Sequence, residues 1–254
     1  MAPLVTEAIV LHAFDYLETS RIIRLMTRES GIQSVLARGA RNSRKRFGGA
    51  VDLFAQGMAE IHMRPNRELQ SLVSLDITRA RPQFATDVGR FTAGSMISEL
   101  TLRTSSDEPA SGLFDAVEHA LDSLASAPAG ETVDTALAGA WLIVATLGFA
   151  PSLDVCANCH ASLDRDARVA FSHSAGGALC ARCGALAPGS RTLPAEARDA
   201  LRAWIEAERA PRLSGASEAR AHQRLLREFF HEHLGVDREL RAYRVWEAGE
   251  WSAA

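Results

Sequence analysis

Four cysteines, the only four in the chain, stand as Cys156-Ala157-Asn158-Cys159 and Cys180-Ala181-Arg182-Cys183. A C-x2-C turn presents two thiolates from one tight loop, and two such turns facing each other form the four-sulfur tetrahedron that zinc prefers. The segment between them fits: Val169-Ala170-Phe171 reads as a short strand, and Gly176-Gly177 as a turn leading into Leu179-Cys180. Asn158 and Gly184 supply the small or turn-prone residues that such loops need. The pattern is that of a zinc ribbon holding one structural Zn2+ through Cys156, Cys159, Cys180 and Cys183. His160 and His173 read as loop histidines outside a complete site. The start of the chain lacks a basic stretch followed by an apolar core, so no secretory signal is expected and disulfides read as the weaker use of these cysteines.

Catalysis at such a centre is not expected. Four thiolates close the coordination that a catalytic zinc keeps open. None of His12, His62 or His119 is followed two places later by Glu, as a zinc deaminase requires, and Val155 rather than Pro precedes Cys156. His231-Glu232-His233 is not H-E-x-x-H, because Gly235 stands at the second histidine position. A phosphate-binding Walker loop needs Gly-Lys-Ser/Thr, and the single lysine, Lys45, lies between Arg44 and Arg46.

The elements that must carry these residues fall into an α+β, multidomain arrangement. Residues 1–80 read as β-structure, with strands at Ala8–Leu11, Arg21–Thr27, Ile32–Ala37, Leu53–Met63 and Leu69–Ile77. Five short strands with a long loop in the middle suit a barrel of the OB type. From Gln83 the apolar period becomes helical: Phe84, Val88, Phe91, Ile97 and Leu100, then Leu113, Val117, Leu121 and Leu124, then Val133, Leu137, Trp141 and Val144. It resumes with Leu201, Trp204, Ile205, Leu225, Leu226, Phe229 and Phe230. The expected partition is therefore an OB-fold domain at 1–80, a helical domain in two parts at 81–150 and 191–254, and a zinc-ribbon insertion at 151–190. No apolar run is long enough to span a membrane, and a cytoplasmic protein is expected.

Net charge is −3, but residues 1–80 carry 11 Lys+Arg against 8 Asp+Glu while the remainder is acidic. Phosphate contact is therefore expected to be local and N-terminal. The segment Arg38-Gly39-Ala40-Arg41-Asn42-Ser43-Arg44-Lys45-Arg46-Phe47-Gly48-Gly49 concentrates the cations. Arg38, Arg41, Arg44, Lys45 and Arg46 could neutralise successive phosphates in a salt-dependent, sequence-neutral way. Phe47 offers a stacking surface, and Arg21, Arg24 and Arg28 are weaker candidates to extend the patch. The competing reading of this segment is a solvated hairpin.

The order of parts resembles the bacterial RecO family of recombinational DNA repair, and so do five separated sequence blocks. Ala8–Leu11 followed by Tyr16-Leu17-Glu18-Thr19-Ser20 is similar to the family's opening strand and turn. Arg38-Gly39-Ala40-Arg41 with Ser43 and Arg46-Phe47 is similar to its loop, and Glu68-Leu69-Gln70 to its entry into the last barrel strand. Leu147-Gly148-Phe149-Ala150-Pro151-Ser152-Leu153 before Cys156 resembles its approach to the ribbon. Leu234-Gly235 with Leu240-Arg241-Ala242-Tyr243-Arg244 resembles its C-terminal element, except that Ala242 and Tyr243 stand where a serine before arginine is expected.

The resemblance implies a non-enzymatic, nucleoid-associated protein that binds single- and double-stranded DNA and anneals complementary strands. It implies work with RecR to help RecA displace single-stranded-DNA-binding protein, and recognition of that protein's acidic C-terminal tail. Arg220, Arg224 and Arg227 recur at helical spacing as a candidate stripe for such a tail; a solvated face paired with Glu228 is the competing reading. The alternative for the whole chain is a zinc-ribbon adaptor for proteins without a direct DNA role. A zinc hydrolase is the third class.

Overall fold

A computed structural model describes residues 3–40, 52–105, 108–207, 212–233 and 240–249. The chain divides into two compact units, Met1–Ala125 and Ser126–Ala254. The division falls inside 81–150, the stretch whose helical period suggested the first part of a single helical domain.

The first unit opens with β1 (Leu4–Tyr16), β2 (Ser20–Thr27), β3 (Gly31–Ala37), β4 (Gln56–His62) and β5 (Leu69–Arg79). They close into a barrel in the order β1-β2-β3-β5-β4, with β3 and β5 parallel and every other neighbour antiparallel. Alternation explains the closure. Ala8, Val10, Ile23, Leu25, Val35, Ala37, Ala59, Ile61, Leu72 and Leu75 form one buried cluster, while the residues between them face out.

The fourth strand starts later than its apolar run suggested. The Phe54 amide donates to the Val10 carbonyl (2.8 Å) and the Val10 amide to the Ala55 carbonyl (2.9 Å), beside the register shift between Val10 and His12. Phe54 takes a left-handed conformation (φ 69°), which breaks the strand and turns its ring onto Phe84 (4.6 Å between centroids) and Phe91 (6.0 Å).

Three helices complete this unit: α1 (Gln83–Thr86), α2 (Val88–Thr104) and α3 (Ser111–Ser126). Asp87 caps α2 by accepting from the Arg90 amide (2.9 Å). Gly94 lets α2 approach the aromatic cluster, since a Cβ there would lie 2.7 Å from Phe84 Cε1. Val88 and Phe91, expected in the core from their spacing, are exposed on the first turn of α2.

The apolar stripe of α3, with Leu113, Val117, Leu121 and Leu124, is buried, and its acidic face meets the barrel's arginines. Arg28 reaches Glu7 (2.9 Å), Asp115 (2.6 Å) and Glu118 (3.5 Å), with its guanidinium 4.1 Å over the Phe114 ring. Arg79 pairs with Glu118 (2.9 Å) and with Asp122, and the buried Arg81 with Asp122 (2.7 Å). The Gln56 amide bridges Glu7 and Glu118, at 2.7 Å from each. Burial alone would raise the Glu7 pKa, but the Gln56 amide and the Arg28 guanidinium outweigh it and hold the carboxyl below its ordinary value.

In the second unit α4 (Thr132–Thr146) leads to a three-stranded sheet of β6 (Val169–Ser172), β7 (Gly177–Leu179) and β8 (Arg191–Leu193), in the order β7-β6-β8. Helix α5 (Ala181–Leu186) lies between β7 and β8, and α6 (Ala195–Ile205), α7 (Ala216–His233) and α8 (Arg241–Ala248) follow. Trp141 of α4 meets Phe229 of α7 (5.3 Å), which also approaches Phe171 of β6 (6.4 Å). Tyr243, the departure at the C-terminal block, is a core anchor: it is buried and its hydroxyl donates to the Gln223 carbonyl (2.6 Å). It packs edge-on to Phe230 (5.7 Å) and Trp246 (5.2 Å). Among the described residues no helix is long and apolar enough to cross a membrane.

Candidate metal centre and nucleic-acid interface

The two C-x2-C turns meet as their spacing predicts. The four Sγ atoms lie within 4.8 Å of one another, and Cys159 and Cys180 are 3.7 Å apart. A tetrahedron with metal–sulfur bonds of about 2.3 Å has edges of about 3.8 Å, so the donor set fits a single ion. Disulfide sulfurs would be bonded at about 2.05 Å, and all four cysteines are free.

Each turn is held by backbone bonds. In the first, the Cys156 amide donates to Ala161 (2.8 Å) and the His160 amide to Cys156 (2.9 Å), with His160 left-handed (φ 58°) and exposed. In the second, the Gly184 amide donates to Cys180 (2.8 Å). Gly184 is required for space rather than for its dihedrals: a Cβ would lie 2.6 Å from that of Ala170 on β6. Asn158 does more than turn the chain, since its amide donates to Cys183 Sγ (3.6 Å).

The protein environment splits the thiols. Burial opposes ionisation of Cys156, but hydrogen bonding to the backbone of Cys180, Cys159 and Asn158 outweighs it and brings the thiol down to about 6. At Cys183 the Asn158 amide favours the thiolate, yet the neighbouring cysteines and burial push it up to about 11. Thiolates crowded this closely repel one another unless a cation sits among them. Arg182, drawn to Cys159 and Cys183, adds a positive charge at the edge of the cluster.

His173 is not a ligand. Its Nε2 lies 3.1 Å from Glu228, its carbonyl meets His233 Nε2 (2.7 Å), and Arg191 also pairs with Glu228 (2.6 Å), which ties α7 to the ribbon sheet. Glu228 is thus engaged by the sheet, not by Arg220, Arg224 or Arg227. Arg227 pairs instead with Glu247 of α8. Arg224 is exposed beside a cavity of about 980 Å³ floored by Phe171, Leu193 and Leu225 and bordered by Arg191 and Arg212.

Of the basic segment, Arg38 is exposed immediately after β3, whereas Arg41, Arg44, Lys45, Arg46 and Phe47 lie outside the described residues. Arg21 and Arg24 are half-buried on β2. Arg21 is taken up by Asp15 (3.0 Å) at the barrel rim, and Arg24 sits on the outward face opposite His12 of β1 and Ser34 of β3.

Two features escaped the sequence reading. The β4–β5 turn presents exposed Arg64 and Arg67 and is braced by the buried Gln70, whose side chain accepts from the Arg64 amide (2.6 Å) and donates to the Arg67 carbonyl (2.5 Å). The second is β1 itself, which continues past Leu11 as His12-Ala13-Phe14-Asp15-Tyr16. The alternation of large rings over those five residues was the available signal.

A closed five-stranded barrel of the OB type, followed by helices and a four-cysteine centre, defines a class of α+β proteins with a metal-binding module. The comparison with known families narrows the class. Residues 1–81 match the model for "Recombination protein O N terminal" and residues 85–242 the model for "Recombination protein O C terminal". A "DNA repair protein RecO" from Anaeromyxobacter sp. (strain K) is 36% identical over 244 residues, covering 93% of this chain and 92% of the relative. Its namesake in Myxococcus xanthus is 34% identical, covering 90% and 91%, and that of Desulfatibacillum aliphaticivorans 28% identical, covering 93% and 94%. The chain belongs to the RecO family of DNA repair proteins.

Proposed function

We propose that this chain is a DNA repair and recombination mediator that binds single- and double-stranded DNA and anneals complementary strands. With RecR it would assist RecA on strands coated by single-stranded-DNA-binding protein. The observation that carries the reading is the barrel: its third strand delivers Arg38, the head of the basic segment ending at Arg46, beside an open outer face. Cations here would screen the repulsion between two strands while leaving base edges free to pair, which needs no bond making or breaking. Membership of the RecO family supports the same role.

As a functional partition, we assign DNA contact to 1–80. The ribbon at 151–190 is a metal-stapled module set into the helical part, 81–150 and 191–254. Cys156, Cys159, Cys180 and Cys183 would hold one Zn2+, whose double charge offsets thiolate repulsion and fixes the two turns. Four sulfurs fill its coordination, so its contribution is structural. For the acidic tail of single-stranded-DNA-binding protein we favour the cavity beside α7, whose floor is apolar and whose lining carries Arg191, Arg212 and Arg224 against Glu196 and Glu218.

Purified protein should anneal complementary oligonucleotides without ATP, with affinity falling steeply as salt rises. Reversal of Arg41, Arg44 and Arg46 to Glu should abolish annealing. Tight protein binding with negligible DNA binding at moderate salt would favour the adaptor reading instead.

A further inference from the structure

The four cysteines are not equivalent: Cys156 and Cys183 are buried, whereas Cys159 and Cys180 are half-buried. The half-buried two come from different C-x2-C turns, and their sulfurs are 3.7 Å apart. A disulfide between them needs an approach of about 1.6 Å, to a bonded distance of about 2.05 Å. Main-chain bonds hold the two turns in this relation. The Ala157 amide donates to the Ala178 carbonyl (2.8 Å), the Ala178 amide to Ser152 (2.8 Å) and the Ser152 amide to Gly176 (2.9 Å). The first turn and its approach are thereby sewn to β7, the strand that delivers Cys180. Of the buried sulfurs, that of Cys183 is taken up by the Asn158 amide (3.6 Å).

Accessible thiolates are the forms of cysteine that peroxides attack, and a second thiolate close by turns the first product into a disulfide. Cys159 and Cys180 meet both conditions. The chain has no cysteine outside this cluster, so any resolving thiolate within the molecule must come from it. Arg182 is exposed and its guanidinium is drawn to Cys159. A cation there faces the oxygen on which negative charge develops as peroxide is cleaved.

We propose that Cys159 and Cys180 are a reversible oxidation site for peroxides, whose product is a disulfide across the two turns. The Cys159 thiolate attacks one oxygen of hydrogen peroxide, forming an S–O bond as the O–O bond breaks and hydroxide leaves. The Cys180 thiolate then attacks that sulfur, forming the S–S bond and expelling the second oxygen as hydroxide. The two thiolates together lose two electrons, and one peroxide is reduced to two hydroxide ions. A second consequence rests on the structural-metal reading above. With two of the four ligands gone the ion leaves, and the disulfide replaces it as the staple between the same two turns. Oxidation therefore unloads the ribbon without unfolding it, and a reductant that returns the thiols restores the site.

The test uses the full-length, zinc-loaded wild type, hydrogen peroxide and a chromogenic chelator that reports released zinc. Release should reach one ion per chain as two of the four thiols are lost, with the far-ultraviolet circular dichroism unchanged. Trypsin cuts after Arg165, Arg168 and Arg182, which puts Cys159, Cys180 and Cys183 on three separate peptides. After free thiols are alkylated, non-reducing peptide mapping should join residues 169–182 to the peptide carrying Cys159. Fragmentation should place the bond on Cys159 rather than on Cys156. A phosphine reductant followed by added zinc should restore one bound ion. A bond within the first turn, a bond engaging Cys183, or sulfinic and sulfonic products in place of a disulfide overturns the proposal. Zinc retained after the Cys159–Cys180 bond has formed, or circular dichroism lost with it, overturns the exchange of staples. Wild type that binds no zinc before oxidation overturns the metal reading instead, and the same peptide map then still decides the oxidation site.

Discussion

Burying an ionisable ring without a partner couples the stability of the second unit to pH. His222 of α7 is 2% exposed, packs edge-on to Trp204 (4.9 Å) and has no hydrogen-bond partner among the described residues for either ring nitrogen. Burial lowers its pKa from 6.5 to about 4, and the nearby Glu218, which favours the charged ring, does not compensate. The folded state thus favours neutral imidazole. Its contribution is fully present above the unfolded pKa and is lost as pH falls through 6.5 towards 4. With a proton binding at about 6.5 unfolded and about 4 folded, linkage removes about 2 kcal/mol between pH 7 and pH 5. The assay is urea denaturation of the full chain at pH 7, 6 and 5, followed by tryptophan fluorescence. All four tryptophans, Trp141, Trp204, Trp246 and Trp251, lie in the second unit, so the signal reports on it. His222→Leu should reduce the loss between pH 7 and 5 by about 2 kcal/mol relative to wild type, whatever its effect at pH 7. Identical pH dependence in the two proteins would refute the reasoning.

Cys156→Ser or Cys180→Ser should abolish stoichiometric zinc, measured by metal analysis, and lower solubility, while wild type holds one ion that strong chelators remove. DNA affinity should fall only indirectly. Zinc retained at one per chain in either variant would contradict the four-sulfur site. Arg28→Ala leaves Glu7, Asp115 and Glu118 without their shared cation and uncovers Phe114. It should destabilise the barrel unit by about 1–3 kcal/mol, read as faster amide exchange in β1 and β2. Unaltered exchange there would count against the network as a structural clamp.

The metal centre was legible because its information is local: two loops of four residues define it, and the fold only has to bring them together. The barrel was legible for a similar reason, since inward apolar residues alternate along each strand. What escaped was set by distant partners. The start of β4 depends on the Phe54 amide donating to Val10 and the Val10 amide to Ala55, across a long stretch of chain. The network between the barrel arginines and α3 joins Arg28 to Asp115 and Arg81 to Asp122, pairs that no short window contains. Val88 and Phe91 fit a helical apolar stripe, yet the first turn of α2 leaves them at the surface. The second half of β1 went unseen because the apolar run stops at Leu11, while the strand continues with Ala13 and Asp15 alternating with the rings of His12, Phe14 and Tyr16.

The central claim is that the N-terminal barrel and its basic segment handle DNA. A salt-titrated assay of DNA binding and ATP-free annealing, with wild type beside the Arg41→Glu/Arg44→Glu/Arg46→Glu variant, tests it most directly. The account predicts steeply salt-dependent binding and annealing by wild type, and loss of both in the variant. Equal DNA affinity in the two proteins across the salt range would contradict it.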